Sequence, residues 1–370
     1  MSAATWWRPF AAALCLLAGC GGRTVMEVES IVCPPGQSAC RGTCVEAQTD
    51  NNNCGGCGIV CSATSPSMAA CTLGRCLVTL ASGDDFADFA VGAMGVYWTT
   101  YGENTVRKVA IGGGTPTTLA SGQDTPSGIA VDATSVYWTN YDLNGTVRKV
   151  PIGGGTPTTL ASGQTFPENI AVHGTSVYWA NWTHYGLQGT VMMVPVGGGT
   201  PITLASGQDH PGAINVDATN VYWGTGDPTA SVMKVAIGGG TPTTFVSAVD
   251  VYDRVAVDAT SVYYFTYSGN GQSGTLRKAP IGGGAAITLA SGYPAYITVD
   301  ATSVYWTDVD ASSDSNGTVM KVPINGGPPT VLASGQDVPE HIAVDGTSVY
   351  WTNYNSNSRA GMTLMKLTPK

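Results

Sequence analysis

A segment of about 40 residues recurs seven times in this chain, and it constrains the fold more than any other feature. Its marker is an aromatic pair, and the seven pairs begin at Tyr97, Tyr137, Tyr178, Tyr222, Tyr263, Tyr305 and Tyr350. Repeats of this length, built from short β-type pieces, are typical of a propeller, in which each repeat forms one blade and cannot bury its faces without its neighbours. The pairs therefore predict an all-β ring of repeated blades.

Each repeat divides into four strand-like pieces, called A, B, C and D here in chain order. In the second copy, β-branched and aromatic residues between turn signals predict strands over residues 128–132, 135–140, 146–152 and 157–161. The A and B pieces are almost continuously apolar, as expected of strands that are packed on both faces. The sequence therefore predicts four-stranded blades.

The two ends of the repeat region predict how the ring closes. Its first piece, residues 77–83, is a lone D strand, and its last piece, residues 363–370, is a lone C strand. Together they complete one blade, which removes the exposed edges of the ring. A six-bladed ring would leave one repeat unpaired. The prediction is an all-β, seven-bladed β-propeller over residues 77–370, closed by its N- and C-terminal strands.

The first twenty residues have the pattern of an export signal. Arg8 supplies a positive charge, and residues 10–18 form an apolar run that is too short to span a membrane. The run ends in Leu-Ala-Gly-Cys at Cys20, which resembles the bacterial lipobox. The resemblance implies a signal peptide over residues 1–19, a lipidated Cys20 that begins a tether over residues 20–32, and outer-membrane sorting, because Gly21 rather than aspartate follows the cysteine. An ordinary secretory signal is the alternative.

Residues 33–76 form a cysteine-rich segment between the tether and the repeats. Its eight cysteines are Cys33, Cys40, Cys44, Cys54, Cys57, Cys61, Cys71 and Cys76. An even number of cysteines in a small exported segment predicts four disulfides, with the pairing left open. A zinc site on Cys54 and Cys57 is the rival, disfavoured because no histidine precedes His173. The segment resembles the cysteine-rich modules of predicted myxobacterial surface lipoproteins, which implies no activity.

Two stretches of the repeat resemble known propellers. Tyr-Trp-Thr-Asp at residues 305–308 resembles the YWTD propellers of lipoprotein receptors. The half-repeat RKVPIGGGTPTTLASG resembles bacterial periplasmic propellers of the TolB-like type. Both resemblances imply the propeller fold and no particular ligand. The receptor family has six blades, and other repeats of this chain replace the aspartate, for example by Asn140 or Thr225.

Comparison of the repeats predicts which rim of the propeller has a function. The A–B turns and the Gly-rich C–D turns barely change, whereas the D–A and B–C loops of the opposite rim vary. Sixteen of the 25 acidic residues fall in these variable loops, against the two basic residues Arg254 and Arg359. Such a rim repels nucleic acid and favours cations or cationic ligands. Acids that only keep an exported protein soluble are the alternative.

The variable rim also supplies the candidate site residues. The position just before strand A can point into the central channel, and the ring of such residues and their neighbours is polar. The candidate binding residues are Asp88, Glu168, Asn169, Asp253, Arg254, Tyr296, Glu340 and His341, with Trp182 at the end of a B strand as a stacking ring. The candidate ligands for Ca²⁺, the one cofactor considered, are Asp253, Glu340, Asp308, Asp310 and Asp314. Residues that merely line a water-filled channel are the alternative.

These features predict a lipoprotein of the bacterial cell envelope, anchored to the outer membrane by lipid only. Its propeller is interpreted as a non-enzymatic scaffold that binds a protein, peptide or glycan at the cell surface, with no catalytic residues and no nucleic acid partner. The alternative function is that of a hydrolase or lyase with a metal-dependent site at the channel mouth, which would resemble propeller lactonases and lyases.

Overall fold

The computed structural model describes residues 32–41, 43–182, 188–226, 230–247, 255–267, 274–309, 316–354 and 361–370. Within these ranges the regular secondary structure consists of 31 β-strands. No helix in the same ranges is long and apolar enough to cross a membrane. The proposed export signal, Cys20 and most of the tether lie outside the described residues.

Four disulfides hold the N-terminal module, as the cysteine count predicts. They join Cys33 to Cys44, Cys40 to Cys57, Cys54 to Cys71, and Cys61 to Cys76. The module contains a short hairpin of β1 (Ser38–Cys40) and β2 (Thr43–Val45), followed by β3 (Met68–Thr72), which pairs with β4 (Arg75–Ser82). Its small core consists of disulfide-bonded cysteines with few other apolar groups. Each bridge is therefore important, at roughly 2–4 kcal/mol in such domains.

The remaining strands form seven antiparallel sheets, which are the blades. Blade 1 has β5 (Phe86–Gly92), β6 (Gly95–Thr100), β7 (Thr105–Val109) and β8 (Thr117–Ala120); blade 2 has β9 (Pro126–Val131), β10 (Ser135–Asn140), β11 (Gly145–Pro151) and β12 (Thr158–Gln164). Blade 3 has β13 (Pro167–His173), β14 (Ser176–Asn181), β15 (Gly189–Pro195) and β16 (Ile202–Gln208); blade 4 has β17 (Gly212–Val216), β18 (Asn220–Gly224), β19 (Ser231–Ala236) and β20 (Thr243–Ser247).

Blades 5 to 7 continue the same order. Blade 5 has β21 (Val255–Val257), β22 (Ser261–Tyr267), β23 (Gly274–Pro280) and β24 (Ile287–Gly292); blade 6 has β25 (Pro294–Val299), β26 (Ser303–Asp308), β27 (Gly317–Pro323) and β28 (Thr330–Gln336). Blade 7 has β29 (Pro339–Val344), β30 (Val349–Asn353) and β31 (Thr363–Thr368), with β4 as its outer strand.

The ring closes through the two ends of the repeat region, which confirms the seven-bladed prediction. Strand β31 pairs with β30 on one side and with β4 on the other. In the second ladder Thr363 lies opposite Ser82 and Leu367 lies opposite Leu77. Strand β3 of the module adds a fifth strand to this blade. The N-terminal module is thus continuous with the sheet that closes the ring.

The hydrophobic cores lie between neighbouring blades, and the aromatic pairs are central to them. Trp138 of blade 2 is fully buried, and its core cluster includes Tyr97 and Val106 of blade 1. Burial of both faces explains the near-continuous apolar character of strands A and B. Because each core needs residues of two blades, no blade can bury its faces alone.

Each buried tryptophan donates its indole N–H to a polar side chain. Nε1 of Trp138 lies 3.2 Å from Oε1 of Gln123, and the same bond recurs in blades 3, 4 and 7. Blade 6 has no such glutamine, and there Trp306 donates to Asp308 at 3.1 Å. The aspartate of the Tyr-Trp-Thr-Asp sequence therefore replaces the glutamine of the other repeats.

The A–B turns are built on an aspartate in five blades. In blade 2, Oδ1 of Asp132 accepts hydrogen bonds from the backbone N–H groups of Thr134 and Ser135, at 2.6 and 2.8 Å, and Oδ2 accepts from the hydroxyl of Tyr137 at 2.7 Å. Burial alone would raise the pKa of Asp132, but these bonds outweigh it and lower the pKa. Burial, and then the contact with Asp132, raise the pKa of Tyr137 to about 12.

Lysines of the C strands connect one blade to the next. Nζ of Lys108 in blade 1 donates to the carbonyl of Ile152 in blade 2, at 2.9 Å. Nζ of Lys366 in blade 7 donates to the carbonyl of Ile111 in blade 1, at 3.0 Å, across the point of closure. The constant C–D turns therefore serve as acceptors that hold neighbouring blades together.

Strand ends differ from the prediction at the variable rim. Strand β9 begins earlier than expected, at Pro126, and β12 runs past residue 161 to Gln164. The extension is possible because Gly163 has a φ of +65° and lets the strand bulge, so that Gln164 pairs with Gly145. The bulge brings the glutamine to the indole of the following repeat.

Candidate functional site

The two rims of the propeller differ in the contacts that their residues make. The rim with the A–B and C–D turns repeats the aspartate turns and the lysine–carbonyl bonds described above, which are structural contacts. The opposite rim is formed by the D–A and B–C loops and surrounds the mouth of the channel. All seven A strands contribute residues to a cavity of about 430 Å³ at this mouth.

The cavity brings together most of the sequence-predicted site residues. Those that line it are Asp88, Glu168, Asn169, Tyr296, Glu340 and His341. They come from β5, β13, β25 and β29, which are the innermost strands of blades 1, 3, 6 and 7. The A strands begin two residues earlier than predicted, so the shared lining position is the third residue of the strand in each of these blades. The binding role of these residues stays a prediction.

A histidine, a carboxylate and an aromatic ring meet on one side of the cavity. Nδ1 of His341 lies 3.1 Å from Oδ1 of Asp88, and the other carboxylate oxygen accepts the N–H of Ile129 at 3.1 Å. The imidazole ring of His341 stacks on Tyr296, with the ring centroids 4.1 Å apart. Asp88 fixes the orientation of the ring and places the proton on Nδ1. An imidazole held in this way is able to bind a polar group or to transfer a proton.

The described lining of the cavity has more acidic than basic side chains. Its described lining contains the carboxylates of Asp85, Asp88, Glu168 and Glu340, and His341 is the basic residue among them. Burial raises the pKa of Glu340, and His341 offsets only part of this effect. A concave site with an excess of carboxylates concentrates cations and repels anions.

Three of these carboxylates influence one hydroxyl group of the cavity, that of Tyr101. Burial raises the pKa of the Tyr101 hydroxyl, and the charges of Glu168, Asp88 and Asp85 raise it further. All three carboxylates line the same cavity as Tyr101. A cationic group placed there interacts with several of them at once.

Two of the five candidate calcium ligands, Asp308 and Glu340, lie within the described residues. Asp253, Asp310 and Asp314 lie outside the described residues, as does Arg254. Glu340 lines the cavity, while Asp308 accepts hydrogen bonds from the indole of Trp306 and, at 3.0 Å, from the N–H of Tyr293. Within the described ranges no three histidine, cysteine or acidic side chains converge as a metal site. The calcium site stays a prediction.

One acidic residue of the variable rim, Asp84, has a structural role. Asp84 is 6% exposed and accepts the indole N–H of Trp98 at 2.8 Å. Its other oxygen pairs with Arg107 at 2.5 Å. Asp84 thus takes the place of the glutamine of the other repeats and, like Asp308, is bonded to a buried indole.

Sequence reasoning left several lining residues out of the candidate set. Asp85, Tyr101, Ser127, Asn215 and Tyr354 also line the cavity. Tyr101 and Tyr354 occupy the position at the end of strand B at which Trp182 was chosen. Trp182 is partly exposed on the rim of blade 3 and does not line the cavity. The shared position in the repeat identifies all three rings from the sequence, although the candidate set kept only Trp182.

Comparisons with known proteins support the propeller fold and do not identify a family. No protein-family model matches the chain, and no curated protein matches it. Among solved structures, it is similar to an oligogalacturonate lyase in complex with manganese, with 11% identity over 84% of this chain and 99% of that chain and a TM-score of 0.58. It is also similar to the WD40 propeller domain of Doa1, with 13% identity over 78% and 96% and a TM-score of 0.57.

A computationally designed protein, Ika8, is similar at the same level. It shares 16% identity over 75% of this chain and 83% of that chain, with a TM-score of 0.56. At identities this low, the likeness to an enzyme, to a WD40 domain and to a designed protein shows the propeller fold alone. Function has to be argued from the mouth of the channel.

Proposed function

We propose that this chain is an exported, lipid-anchored protein of the bacterial cell envelope whose propeller is a non-enzymatic binding scaffold. Its ligand is a protein, peptide or glycan that presents a cationic group to the mouth of the channel. One observation carries the proposal: the 430 Å³ cavity, lined by residues of all seven A strands, whose described lining contains four carboxylates and one histidine. The other rim is occupied by repeated structural contacts.

The scaffold supports this role because the residues that stabilise the fold are different from those at the mouth of the channel. Buried aromatic pairs and the ladders of the blades fix the A strands. The residues at the starts of these strands are therefore held in place before any ligand binds, which lowers the entropy cost of binding. Loops that vary between repeats on a rigid ring are the usual location of binding residues.

The lipid anchor is tested separately from the ligand site. Cys20 of the lipobox-like sequence is the acceptor, and several acyl chains on one residue give stable attachment. Cells that express the wild type should incorporate labelled palmitate into the protein and retain it in the outer-membrane fraction. The Cys20→Ala variant should lose both the label and the membrane fraction. Label retained by the variant would refute the anchor.

A pair of peptides tests the ligand site. The probes are a capped glycine-rich pentapeptide with two lysines and the same peptide with two glutamates. We expect the lysine peptide to bind at least tenfold more tightly at low salt, and the preference to fall as salt screens the carboxylates. Mass spectrometry of the recovered peptide should show it unchanged, as a binding protein requires.

Single substitutions locate the binding. Glu168→Gln and Glu340→Gln remove one charge each from the mouth, and both should weaken binding of the lysine peptide. Glu46→Gln is the matched control, because Glu46 is exposed on the N-terminal module and the change in net charge is identical. Equal affinity for the two peptides, or equal loss in all three variants, would refute the mouth as the recognition site.

A further inference from the structure

The residue three positions after each blade tryptophan is fixed at the variable rim by a backbone bond. Its N–H donates to a carbonyl of the preceding D–A loop in every blade for which both residues are described. The bonds are Tyr101 to Asp85 at 3.1 Å, Tyr141 to Thr125 at 2.9 Å, Trp182 to Phe166 at 3.0 Å, Gly226 to Asp209 at 3.1 Å, Val309 to Tyr293 at 2.9 Å and Tyr354 to Val338 at 3.1 Å. Side chains at this position are therefore anchored by the main chain.

On four consecutive blades this anchored residue is aromatic. Tyr354, Tyr101, Tyr141 and Trp182 occupy it on blades 7, 1, 2 and 3, and these four rings are called the aromatic arc below. Tyr101 is 44% exposed and the other three are partly exposed. Tyr101 and Tyr354 line the cavity, and the rings of Tyr141 and Trp182 are 6.4 Å apart. The arc thus runs from the cavity outwards along the rim.

Packing of the blades accounts for Tyr354, which lies against the core between blades 7 and 1, but not for the other three rings of the arc. The hydrophobic clusters between the blades, as far as the chain is described, include neither Tyr101, Tyr141 nor Trp182. The six tryptophans of the aromatic pairs are all less than 2% exposed, whereas Trp182 is partly exposed. Large rings that lie outside the core and beside a cavity are suited to contact a ligand.

Neighbouring rings hold the outer half of the arc in position. Phe166 packs on Tyr141 with the centroids 5.1 Å apart, and His210 packs on Trp182 at 5.2 Å. Both have a positive φ, +47° and +43°, although each precedes a proline, where such backbone is disfavoured. The contacts orient the rings of the arc before a ligand arrives, which favours affinity by preorganisation.

Carboxylates lie beside the arc. Asp85, Asp88 and Glu168 line the same cavity as Tyr101. Burial and then these charges raise the pKa of the Tyr101 hydroxyl, and burial and then Glu168 raise the pKa of Tyr141. Aromatic faces bind the apolar C–H face of a pyranose ring, while carboxylates bind ammonium groups and repel uronic acids. Both kinds of side chain lie together along the inner half of the arc.

We propose that the aromatic arc is a subsite for an amino-sugar oligosaccharide, in which pyranose rings stack on Tyr101, Tyr141 and Trp182 and free amines pair with Asp85, Asp88 and Glu168. The inference rests on the proposed function and names its ligand class. It distinguishes this site from one for polyuronates, because the carboxylates of a polyuronate would be repelled by the acidic side chains of the mouth. It also explains why the acids and the exposed rings occupy the same rim.

Three oligosaccharides of equal length test the inference by calorimetry. They are an oligomer of glucosamine, the matching glucose oligomer without amines, and an oligogalacturonate. We expect the glucosamine oligomer to bind at least tenfold more tightly than the glucose oligomer, and the oligogalacturonate not to bind. Added salt should weaken the first interaction and leave the second unchanged. Equal binding of the first two oligomers, or binding of the oligogalacturonate, would overturn the inference.

Variants of the arc locate the subsite. Trp182→Ala and Tyr101→Ala should each weaken the glucosamine oligomer about threefold to tenfold, the range of an aromatic contact. Tyr293→Ala is the control, since Tyr293 is 38% exposed on the same rim of blade 6, outside the arc, and its backbone contacts survive the substitution. An equal effect of the control would overturn the inference. If the lysine peptide binds at the mouth and no amino sugar binds, this inference fails and the proposed function stands; if neither binds, both fail.

Discussion

Strand β31 closes the ring, and replacing its two buried leucines tests the closure. Leu364 and Leu367 are both 0% exposed. Leu364 belongs to the core between blades 7 and 1, and Leu367 to the core between blades 6 and 7. A fully buried leucine replaced by alanine typically loses ~2–5 kcal/mol, so the two substitutions together remove ~4–10 kcal/mol if they act independently. This is comparable to the whole stability of a typical protein, ~5–15 kcal/mol.

Urea unfolding followed by circular dichroism and tryptophan fluorescence measures the effect. Leu364→Ala and Leu367→Ala should each lower the midpoint strongly, and removal of residues 363–370 should prevent the cooperative transition. Leu143→Ala is the matched control, because Leu143 is 57% exposed in a B–C loop, and its change should stay within about 0.5 kcal/mol. If Leu367→Ala costs no more than this control, β31 does not complete blade 7 and the closure is wrong.

Three further predictions concern the interior of the blades. Trp138→Ala should lower the free energy of unfolding by ~3–5 kcal/mol, because the ring is fully buried, and a cost like that of a surface substitution in urea unfolding would show that strand β10 is misplaced. Asp308→Ala should cost ~1–3 kcal/mol by leaving the indole of Trp306 without its acceptor, whereas Asp308→Asn should be tolerated, and equal midpoints for both variants would contradict that role. The turn aspartates with a lowered pKa are Asp132, Asp217, Asp258, Asp300 and Asp345. Their contribution is present above the unfolded pKa of about 3.9 and is lost as the pH falls through the folded values, so Asp132→Asn should flatten the acid limb of a stability–pH curve, and an unchanged limb would refute the assignment.

The repeat explains why so much of the fold was predictable. An aromatic pair that recurs at a nearly constant interval reports the blade count directly, and the lone strands at the two ends report the closure. Strand ends were less predictable, because they depend on a bulge at Gly163 that a count of β-branched residues does not detect. The disulfide pairing was not predictable, since it depends on the path of a loop-rich module.

The candidate site was predictable in position more than in detail. The residue before strand A is recognisable in each repeat, and this located Asp88, Tyr296 and His341 at one cavity. The roles of single acids were not recognisable, because two carboxylates of the variable loops accept a hydrogen bond from a buried indole. Asp84 and Asp308 both bond to an indole, and only the three-dimensional contacts separate them from acids that face the mouth.

Hydrogen–deuterium exchange, measured with and without the lysine pentapeptide, tests most directly that the mouth is the recognition surface. The account predicts protection of the D–A loops and the starts of the A strands, including Glu168, Glu340 and His341. It predicts no change in the Gly-rich C–D turns of the opposite rim or in the N-terminal module. Protection confined to the C–D turns or to the module would contradict the account.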